Sequence, residues 1–198
     1  MQVALVKCGG ANFGSVQYAL ERLGVNPVTT DDATVIRQAD KVILPGVGSA
    51  QAAMQRIAQH DLAETLKNLQ QPTLAICLGM QILCEASEEG DTSCLGIIPV
   101  PVQAMQAQAG LRIPHMGWNQ VSYQTAHPLF KQIPENDYAY FVHAYAVPVS
   151  PYTIATSTHG ERFSAALAYK NFYAVQYHPE RSGKHGQQLL KNFIEMQA

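Results

Sequence analysis

The chain has 198 residues, of which 47% are hydrophobic and 14% are charged, and its formal net charge is −2. This composition is too apolar for a disordered chain, and the lack of a basic surplus excludes charge-driven binding to nucleic acid or to an anionic membrane. The length suits a single domain over residues 1–198. We expect no spanning helix, since no run reaches about 18 apolar residues, and without an evident secretory segment we expect a cytoplasmic location.

The first half of the sequence alternates between apolar strand patterns and helical patterns. The predicted strands lie at Val3–Val6, 27–30, Lys41–Gly46 and 73–76, and the predicted helices lie at 15–23, 50–69 and 80–86. Continuous apolar strands that alternate with helices are typical of a parallel sheet covered on both faces.

The second half is richer in strand patterns. The predicted strands lie at 121–123, 138–147, 153–158, 163–169 and 172–178, and a last helix is predicted at 186–196. Because loops rather than helices separate these strands, we expect additional or antiparallel strands in this half of the chain.

The chain contains four cysteines, Cys8, Cys77, Cys84 and Cys94. In a chain of this length without an export signal we expect reduced thiols rather than a disulfide framework. Neither a CxxC pair nor a short Cys–His or His–His spacing is present, so we expect no metal site and no cofactor.

Cys77 ends the apolar run TLAIC and is followed by Leu78 and Gly79. Ligands gather at the carboxyl ends of strands in open α/β sheets, and a tight strand-to-helix turn with small neighbours exposes a nucleophile. The free N–H groups of a helix start also favour a thiolate. The alternative is a buried thiol that only packs in the core.

His178, in the sequence QYHPERSG, is the predicted base for this thiol. Pro179 favours an extended conformation at His178, and residues two apart in an extended chain point to the same side. Glu180 can then accept a hydrogen bond from the imidazole, fix its tautomer and stabilise its cation. The alternative is a solvated turn without a catalytic role.

Attack on an amide carbonyl also requires donors for the developing oxyanion. The backbone N–H of Leu78 directly follows the nucleophile. A second donor is predicted at Val47, since Gly46 and Gly48 on either side let the loop PGVG approach a ligand closely.

Together, the segments LPGVG, CLGMQ, PHMGWN, YFVHAY and QYHPERSG resemble class I glutamine amidotransferases, and more narrowly the glutaminase subunits of imidazole glycerol phosphate synthases. The resemblance extends from Val3 to the last predicted helix. It implies an α/β, flavodoxin-like fold with a mostly parallel sheet covered by helices and extra antiparallel strands in the C-terminal half.

The resemblance implies a triad of Cys77, His178 and Glu180 that hydrolyses L-glutamine to glutamate and ammonia through a cysteine thioester, with Val47 and Leu78 as the oxyanion donors. The implied substrate-binding residues are Gln81, Glu89, His143, Ala144 and Tyr145, with Glu89 near the substrate ammonium and 143–145 near its carboxylate. Gln81 could instead only cap its helix, and Glu89 could be a surface acid.

The resemblance also implies a partner, the (βα)8-barrel cyclase subunit, which uses the ammonia to make imidazole glycerol phosphate and aminoimidazole carboxamide ribotide in histidine biosynthesis. The residues implied at the partner interface are Asn12, Pro114, His115, Met116, Gly117, Trp118, Asn119 and Arg181. A lone tryptophan such as Trp118 could instead belong to the core.

Four positions depart from the family pattern. Lys7 replaces an acid and Ala11 a glycine in the first loop, while Ala75 replaces a glycine and Ala144 a serine near the predicted site. None of these changes removes a triad residue. Two alternatives remain open, namely a glutaminase that serves another synthase and a non-catalytic interaction subunit on the same fold.

Overall fold

The computed structural model describes residues 1–8, 13–123 and 127–196. The predicted position Asn12 lies outside these residues, as does Ala11. Within them, the helices are α1 (Phe13–Glu21), α2 (Ala33–Gln38), α3 (Ala50–Gln59), α4 (Ala63–Lys67), α5 (Leu78–Leu83) and α6 (Gly183–Glu195).

The strands of the same residues are β1 (Val3–Val6), β2 (Val28–Thr30), β3 (Lys41–Gly46), β4 (Thr73–Cys77), β5 (Ala86–Ser87), β6 (Thr92–Ser93), β7 (Pro101–Ala104), β8 (His115–Tyr123), β9 (Asp137–His143), β10 (Tyr145–Ala146), β11 (Thr153–His159), β12 (Glu161–Tyr169) and β13 (Phe172–Val175). Short 3-10 turns lie at Pro128–Phe130 and Pro179–Arg181.

Side-chain caps explain where two helices begin. The carboxylate of Asp32 accepts hydrogen bonds from the N–H groups of Thr34 and Val35 at 2.7 and 3.2 Å and starts α2. The hydroxyl of Ser49 accepts one from the N–H of Ala52 at 3.2 Å and starts α3 directly after the PGVG loop. The sequence pattern missed α2 because six residues are too few to show a helical period.

The single helix predicted at 50–69 is wrong, since two helices occupy this range. Asp61 has a φ of 51° between α3 and α4. This left-handed conformation cannot continue a right-handed helix. The apolar period continues across the break because Ile57, Leu62 and Leu66 all pack into the same core.

Several other predicted segments differ from the observed ones, among them the strand predicted at 172–178, which ends at Val175. The helix predicted at 80–86 begins earlier, directly after Cys77, and ends at Leu83. The strand predicted at 121–123 begins earlier, at His115, and so includes five residues of the segment PHMGWN. The strand predicted at 138–147 is two strands, β9 and β10, which belong to different sheets and are separated at Ala144.

The main sheet has the strand order β2-β1-β3-β4-β13-β12-β11-β8-β9. The pairings from β2 to β13 are parallel, and those from β13 to β9 are antiparallel. The parallel half has the strand order of flavodoxin-like sheets, which confirms the predicted α/β fold with antiparallel strands added by the C-terminal half. A smaller sheet contains β10, β7, β5 and β6.

Helices cover both faces of the parallel half. On β1, Ala4 and Val6 pack in the core with buried residues of α2, α3, α4 and α5. Val3 and Leu5 point the opposite way and pack with buried residues of α1 and α6. Because both faces are covered, a ligand can reach the backbone of these strands only at their ends. In the part of the chain that the structure describes, each helix is too short or too polar to cross a membrane.

Strand register sets the position of the predicted site. Gly46, the last residue of β3, lies opposite Cys77, the last residue of β4. On the other side of β4, Val175 lies opposite Ile76, so the chain that leads to His178 leaves the sheet beside Cys77. Three carboxyl ends of parallel strands therefore meet where the sequence predicts a nucleophile, its base and an oxyanion loop.

We expect Gly79→Ala to destabilise the protein by about 2–3 kcal/mol, a typical cost of overpacking against atoms that cannot move. A Cβ at this position would lie 1.9 Å from the backbone oxygen of Leu44 in β3. The matched control is Gly14→Ala in α1, where the nearest atom to the new Cβ is 3.9 Å away and alanine favours the helix. Denaturant unfolding of both variants checks this, and equal stabilities would contradict the close approach of α5 to β3.

Candidate active site

Cys77 occupies a strained turn between β4 and α5. Its φ of 54° and ψ of −111° lie outside the regions that non-glycine residues favour, and such strain gathers at functional sites. The turn leaves 7% of the residue exposed. The structure thus has the strand-to-helix elbow that the sequence predicts, with the helix starting at the next residue.

His178 and Glu180 are hydrogen-bonded to each other, as the sequence predicts. The imidazole Nδ1 lies 2.8 Å from Oε1 of Glu180, and both side chains are almost fully buried. The backbone between these two residues differs from the prediction, which placed both in an extended chain. It is extended at His178 but then enters the 3-10 turn at Pro179–Arg181. This turn brings the carboxylate back toward the ring.

The backbone of His178 is anchored on β9. Its N–H donates to the carbonyl of Tyr140 at 2.9 Å, and its carbonyl accepts from the hydroxyl of Ser182 at 2.7 Å. The same hydroxyl accepts from the N–H of Tyr140 at 3.0 Å. These bonds leave little freedom to the imidazole, whose position decides which atom of a ligand it can reach.

The charges around His178 favour its cation. Burial disfavours the imidazolium, but Cys77 and Glu180 outweigh it and raise the pKa of His178 to about 10. Nε2, the nitrogen not bonded to Glu180, is buried, and a side-chain hydrogen bond between Cys77 and this ring contributes to the raised pKa. The arrangement therefore suits a thiolate beside an imidazolium that can donate a proton from Nε2.

Gln176 is a site residue that the sequence analysis missed. Its amide nitrogen approaches the sulfur of Cys77 at 3.8 Å, and its amide oxygen accepts from Nε2 of Gln81 at 3.1 Å. The signal was present, because Gln176 stands two residues before His178 and alternation puts both on one side of an extended chain. A buried amide donor beside the sulfur stabilises its anion.

A cleft of about 410 Å³ opens next to Cys77. Of the predicted residues, its wall contains Val47, Cys77, Leu78, Gln81, Glu89, Pro114, His143, Ala144, Tyr145 and His178. Glu180 is not part of the wall and lies behind the imidazole that it orients. Residues that are distant in sequence and that were predicted as catalytic, oxyanion or substrate positions therefore share one cavity, apart from Glu180.

The two predicted oxyanion donors belong to the wall of the same cleft. A Cβ on Gly46 would be 3.1 Å from the Cβ of Leu78, so a side chain at Gly46 would press on the start of α5. The N–H of Leu78 belongs to the first turn of α5, where backbone donors have no partner within the helix. Since two donors to one oxyanion must face the same cavity, this location is consistent with the prediction for Val47 and Leu78.

Gln81 and Glu89 each combine a structural contact with a place in the cleft wall. Nε2 of Gln81 donates to the carbonyl of Tyr145 and to Gln176, both at 3.1 Å. Oε2 of Glu89 accepts from the N–H of Ala50 at 2.7 Å. The carboxylate of Glu89 thus lies at the start of α3, directly after the PGVG loop, and stabilises the helix terminus.

The segment 143–145 crosses the cleft where the chain leaves the main sheet. The carbonyl of Ala144 accepts from the N–H of Met105 at 2.9 Å. The carbonyl of Tyr145 accepts from Nδ1 of His143 at 2.8 Å, in addition to the bond from Gln81. Because these carbonyls bond away from the ladder of β9, the segment can present its backbone to a ligand.

The residues predicted at a partner interface separate into two sets along β8. Met116 and Trp118 are 64% and 56% exposed. His115 is buried, and the side chain of Asn119 bonds to Thr158 and to His115. Strand alternation explains this separation, so Met116 and Trp118 present their side chains to the outer face of β8 while His115 and Asn119 point to the other side.

The remaining interface positions differ in exposure. Pro114 and Arg181 are exposed, and Pro114 also lines the cleft. Gly117 is partly exposed and has a φ of 129°, a conformation that side chains rarely adopt. The exposed part of the predicted interface therefore begins at the mouth of the cleft and continues along the outer face of β8.

His115 and His143 are buried neutral histidines. Nδ1 of His115 lies 2.9 Å from Nε2 of His143. Burial and the neighbouring imidazoles lower the pKa of His115 to about 3. Burial also lowers the pKa of His143 to about 4, although its bond to Tyr145 acts in the opposite direction. Neither ring carries a charge at neutral pH.

We expect stability to fall as the pH decreases from 6.5 toward 4, because these two histidines protonate in the unfolded chain but stay neutral in the folded one. Each can contribute up to about 1.4 kcal/mol per pH unit. Denaturant unfolding at several pH values checks this, with His115→Phe as the comparison. The variant should show a flatter profile than the parent, and parallel profiles between pH 6 and 4.5 would contradict the assignment.

Comparison with known proteins agrees with this geometry. The sequence profile of the family described as glutamine amidotransferase class-I matches residues 4–196. The imidazole glycerol phosphate synthase subunit HisH of Yersinia pseudotuberculosis is 51% identical over 197 residues, covering 99% of this chain and 100% of the relative. HisH of Pectobacterium atrosepticum is 52% identical over the same shares of the two chains.

A crystal structure of a glutamine amidotransferase matches the fold with a TM-score of 0.74 at 15% identity, over 98% of this chain and 97% of that one. At this identity the match concerns the fold alone. The sequence profile and the two relatives cover nearly the whole chain. The chain therefore belongs to the class I glutamine amidotransferase family, in which it groups with the HisH subunits.

Proposed function

We propose that this chain is the glutaminase subunit of an imidazole glycerol phosphate synthase and that it hydrolyses L-glutamine to glutamate and ammonia. The observation that carries the proposal is the strained Cys77 in a cleft with His178, whose imidazole is bonded to Glu180. Such a constellation fits nucleophilic attack on a carboxamide. The names of the HisH relatives support the assignment to this synthase rather than to another amidotransferase.

In the first half of the reaction, the Cys77 thiolate attacks the side-chain carboxamide carbon of glutamine. The carbonyl oxygen becomes an oxyanion, which the N–H groups of Val47 and Leu78 stabilise. His178 then donates its Nε2 proton to the leaving nitrogen, and the C–N bond breaks. The raised pKa of His178, about 10, supports this role because the ring starts as a cation. Ammonia and a γ-glutamyl thioester result.

In the second half, the now neutral His178 removes a proton from water, and the hydroxide attacks the thioester carbon. The same two N–H groups stabilise the second oxyanion, and the C–S bond then breaks to return the thiolate and release glutamate. Glu180 keeps its hydrogen bond to Nδ1 of His178 throughout. Gln176 stabilises the sulfur anion each time it is formed, given its amide 3.8 Å away.

We assign substrate recognition to the other residues of the cleft wall. Glu89 would pair with the ammonium of glutamine, while the backbone of 143–145 would hold the α-carboxylate and Gln81 would contact the substrate. Their presence in the same cavity as Cys77 supports these roles. An ion pair at one end and backbone donors at the other would distinguish an α-amino acid from a simple amide.

A partner follows from the chemistry of the product. Ammonia that escapes into neutral water is protonated and loses its nucleophilicity, so a synthase must receive it directly. We propose that a (βα)8-barrel cyclase docks over the mouth of the cleft and uses the ammonia to form imidazole glycerol phosphate and aminoimidazole carboxamide ribotide in histidine biosynthesis. The relatives are named as subunits of this synthase, which supports the existence of such a partner.

The outer face of β8 and β9 supports this docking site. Met116, Trp118 and Tyr138 are all more than half exposed, and Trp118 packs edge-on against Tyr140 at 6.1 Å between ring centres. Exposed aromatic and methionine side chains in one patch are typical of interface anchors. Arg181, which is exposed, would add a cation at the margin of this face.

We further propose that the chain works as one domain in the cytoplasm. The main sheet receives strands from both halves of the chain, which supports a single domain. All four cysteines are free thiols, and the mechanism requires that Cys77 stays reduced. A reducing compartment meets this requirement.

We expect Cys77→Ala to abolish glutamine hydrolysis in the complex with the cyclase while ammonia-dependent cyclisation continues, because only the nitrogen source is lost. The matched control is Cys94→Ser, since burial raises the pKa of that thiol to about 11 and keeps it unreactive. Glutamate release and product formation with either nitrogen source are measured. Glutamine turnover by Cys77→Ala would refute the nucleophile, and loss of both activities would refute a purely glutaminase role.

We expect Trp118→Ala to weaken binding to the cyclase by about 10-fold or more, the usual cost of removing an aromatic anchor. Val149→Ala serves as the control, because Val149 is also exposed, at 46%, but lies outside β8 and β9. Calorimetric titration of each variant with the cyclase gives the dissociation constants. Equal dissociation constants for both variants would show that the cyclase does not bind at this face.

A further inference from the structure

A chain of side-chain hydrogen bonds links β11 to the wall of the cleft. Nδ2 of Asn119 donates to the carbonyl of Thr158 at 2.8 Å and lies 3.2 Å from Nε2 of His115. Nδ1 of His115 lies 2.9 Å from Nε2 of His143, and Nδ1 of His143 lies 2.8 Å from the carbonyl of Tyr145. The last acceptor belongs to the segment that lines the cleft.

The donors and acceptors along these hydrogen bonds can be assigned in only one way. The carbonyl of Tyr145 can only accept, so Nδ1 of His143 carries the proton and its Nε2 must accept. Nδ1 of His115 therefore donates, and its Nε2 accepts from the amide of Asn119. The N–H of Gln120 donates to Oδ1 of Asn119 at 2.8 Å, which fixes that amide in the required orientation.

Packing and burial hold the same arrangement. The ring of His115 stacks on His159 at 4.1 Å and on Phe141 at 4.8 Å between ring centres, with interplanar angles of 19° and 23°. The lowered pKa values of His115 and His143 agree with two neutral rings. A proton added to either ring would turn an acceptor into a donor that faces another donor.

The side-chain hydrogen bonds from Asn119 through His115 to His143, called the relay below, reach the segment where the backbone passes from the ladder of β9 to that of β10. The ladder between β8 and β9 ends at the pair His115 and His143, and the chain then passes through Ala144 into another sheet. Beyond that point the carbonyl of Tyr145 is held by the side chains of His143 and Gln81. The imidazole of His143 is itself oriented by His115.

We propose that His115 and Asn119 are positioning residues for the α-carboxylate end of glutamine and act through His143 on the backbone of 143–145. The proposal rests on the function proposed above. His115 and Asn119 touch neither substrate nor the triad. They keep the imidazole of His143 at one angle, so that the N–H groups of the segment are oriented before the ligand arrives.

The relay predicts an effect on binding that is separate from the chemistry of the thiol. In the complex with the cyclase, His115→Leu should raise the KM for glutamine by about 10-fold, with kcat changed less than 3-fold. The triad does not contact His115, whereas the carboxylate-binding segment loses its orientation. His115→Gln can donate and accept in the same directions and should recover most of the loss.

Labelling of the full chain tests the proposal without the partner. Iodoacetamide reacts with Cys77 without occupying the carboxylate site. A diazo-ketone analogue of L-glutamine reacts only if Cys77 is reactive and the carboxylate site is intact. For His115→Leu we expect the rate of labelling by the analogue to fall by about 10-fold while the iodoacetamide rate stays within 2-fold. The matched control is His159→Phe, which keeps the stacked ring and loses only a bond to the carbonyl of Arg112, and it should label like the parent.

The outcomes separate the two proposals. If His115→Leu slows labelling by both reagents equally, the substitution causes a general structural defect and the positioning role is wrong. If it slows labelling by neither reagent, His115 does not affect the carboxylate site and the role is also wrong. If the parent chain reacts with iodoacetamide but not with the analogue, the proposed glutaminase function fails and the positioning role fails with it. Should His115→Leu not fold, Asn119→Ser breaks the far end of the relay, and a selective loss with the analogue alone then supports the role.

Discussion

The close approach of α5 to β3 at Gly79 is the contact on which the site depends. A side chain there would lie 1.9 Å from the carbonyl of Leu44, so only glycine lets the helix begin directly after β4. That start forces Cys77 into its strained turn and places the N–H of Leu78 beside the PGVG loop. The strain is borne by the parallel sheet, which is buried on both faces and cannot easily relax.

Two sets of histidines with opposite charge states flank the cleft. His178 is held as a cation by Glu180 and Cys77, whereas burial keeps His143 and His115 neutral. The positive charge of His178 itself disfavours protonation of His143. The imidazole of His178 can therefore transfer protons, whereas the other two act only as oriented donors and acceptors. The surroundings of each ring determine which of these roles it has.

The strands β8 and β9 serve two surfaces at once. Their outer side chains, among them Trp118 and Tyr138, form the exposed apolar face assigned to the cyclase. Their inner side chains, His115 and His143, connect to the backbone assigned to the substrate. Neighbouring residues on a strand point to opposite faces. A shift of these strands on docking would therefore also move the side chains that face the substrate-binding segment.

The sequence by itself determined the chemistry of the site. The apolar run before Cys77, the glycines around Val47 and the His-Pro-Glu segment are local patterns, and local rules for strands and turns predict what they form. The α/β fold and the buried parallel strands followed from the same kind of pattern. The break at Asp61 and the change of sheet at Ala144 did not, because the apolar spacing continues through both.

Only the tertiary structure decided which side chains meet. His115, predicted at the partner surface, lies inside and bonds to His143, and Gln176 approaches the sulfur of Cys77. Such contacts join residues that are 28 and 99 positions apart. No local sequence pattern predicts these contacts. Their distances depend on the register of neighbouring strands and on the packing of both sheet faces, which are properties of the whole chain.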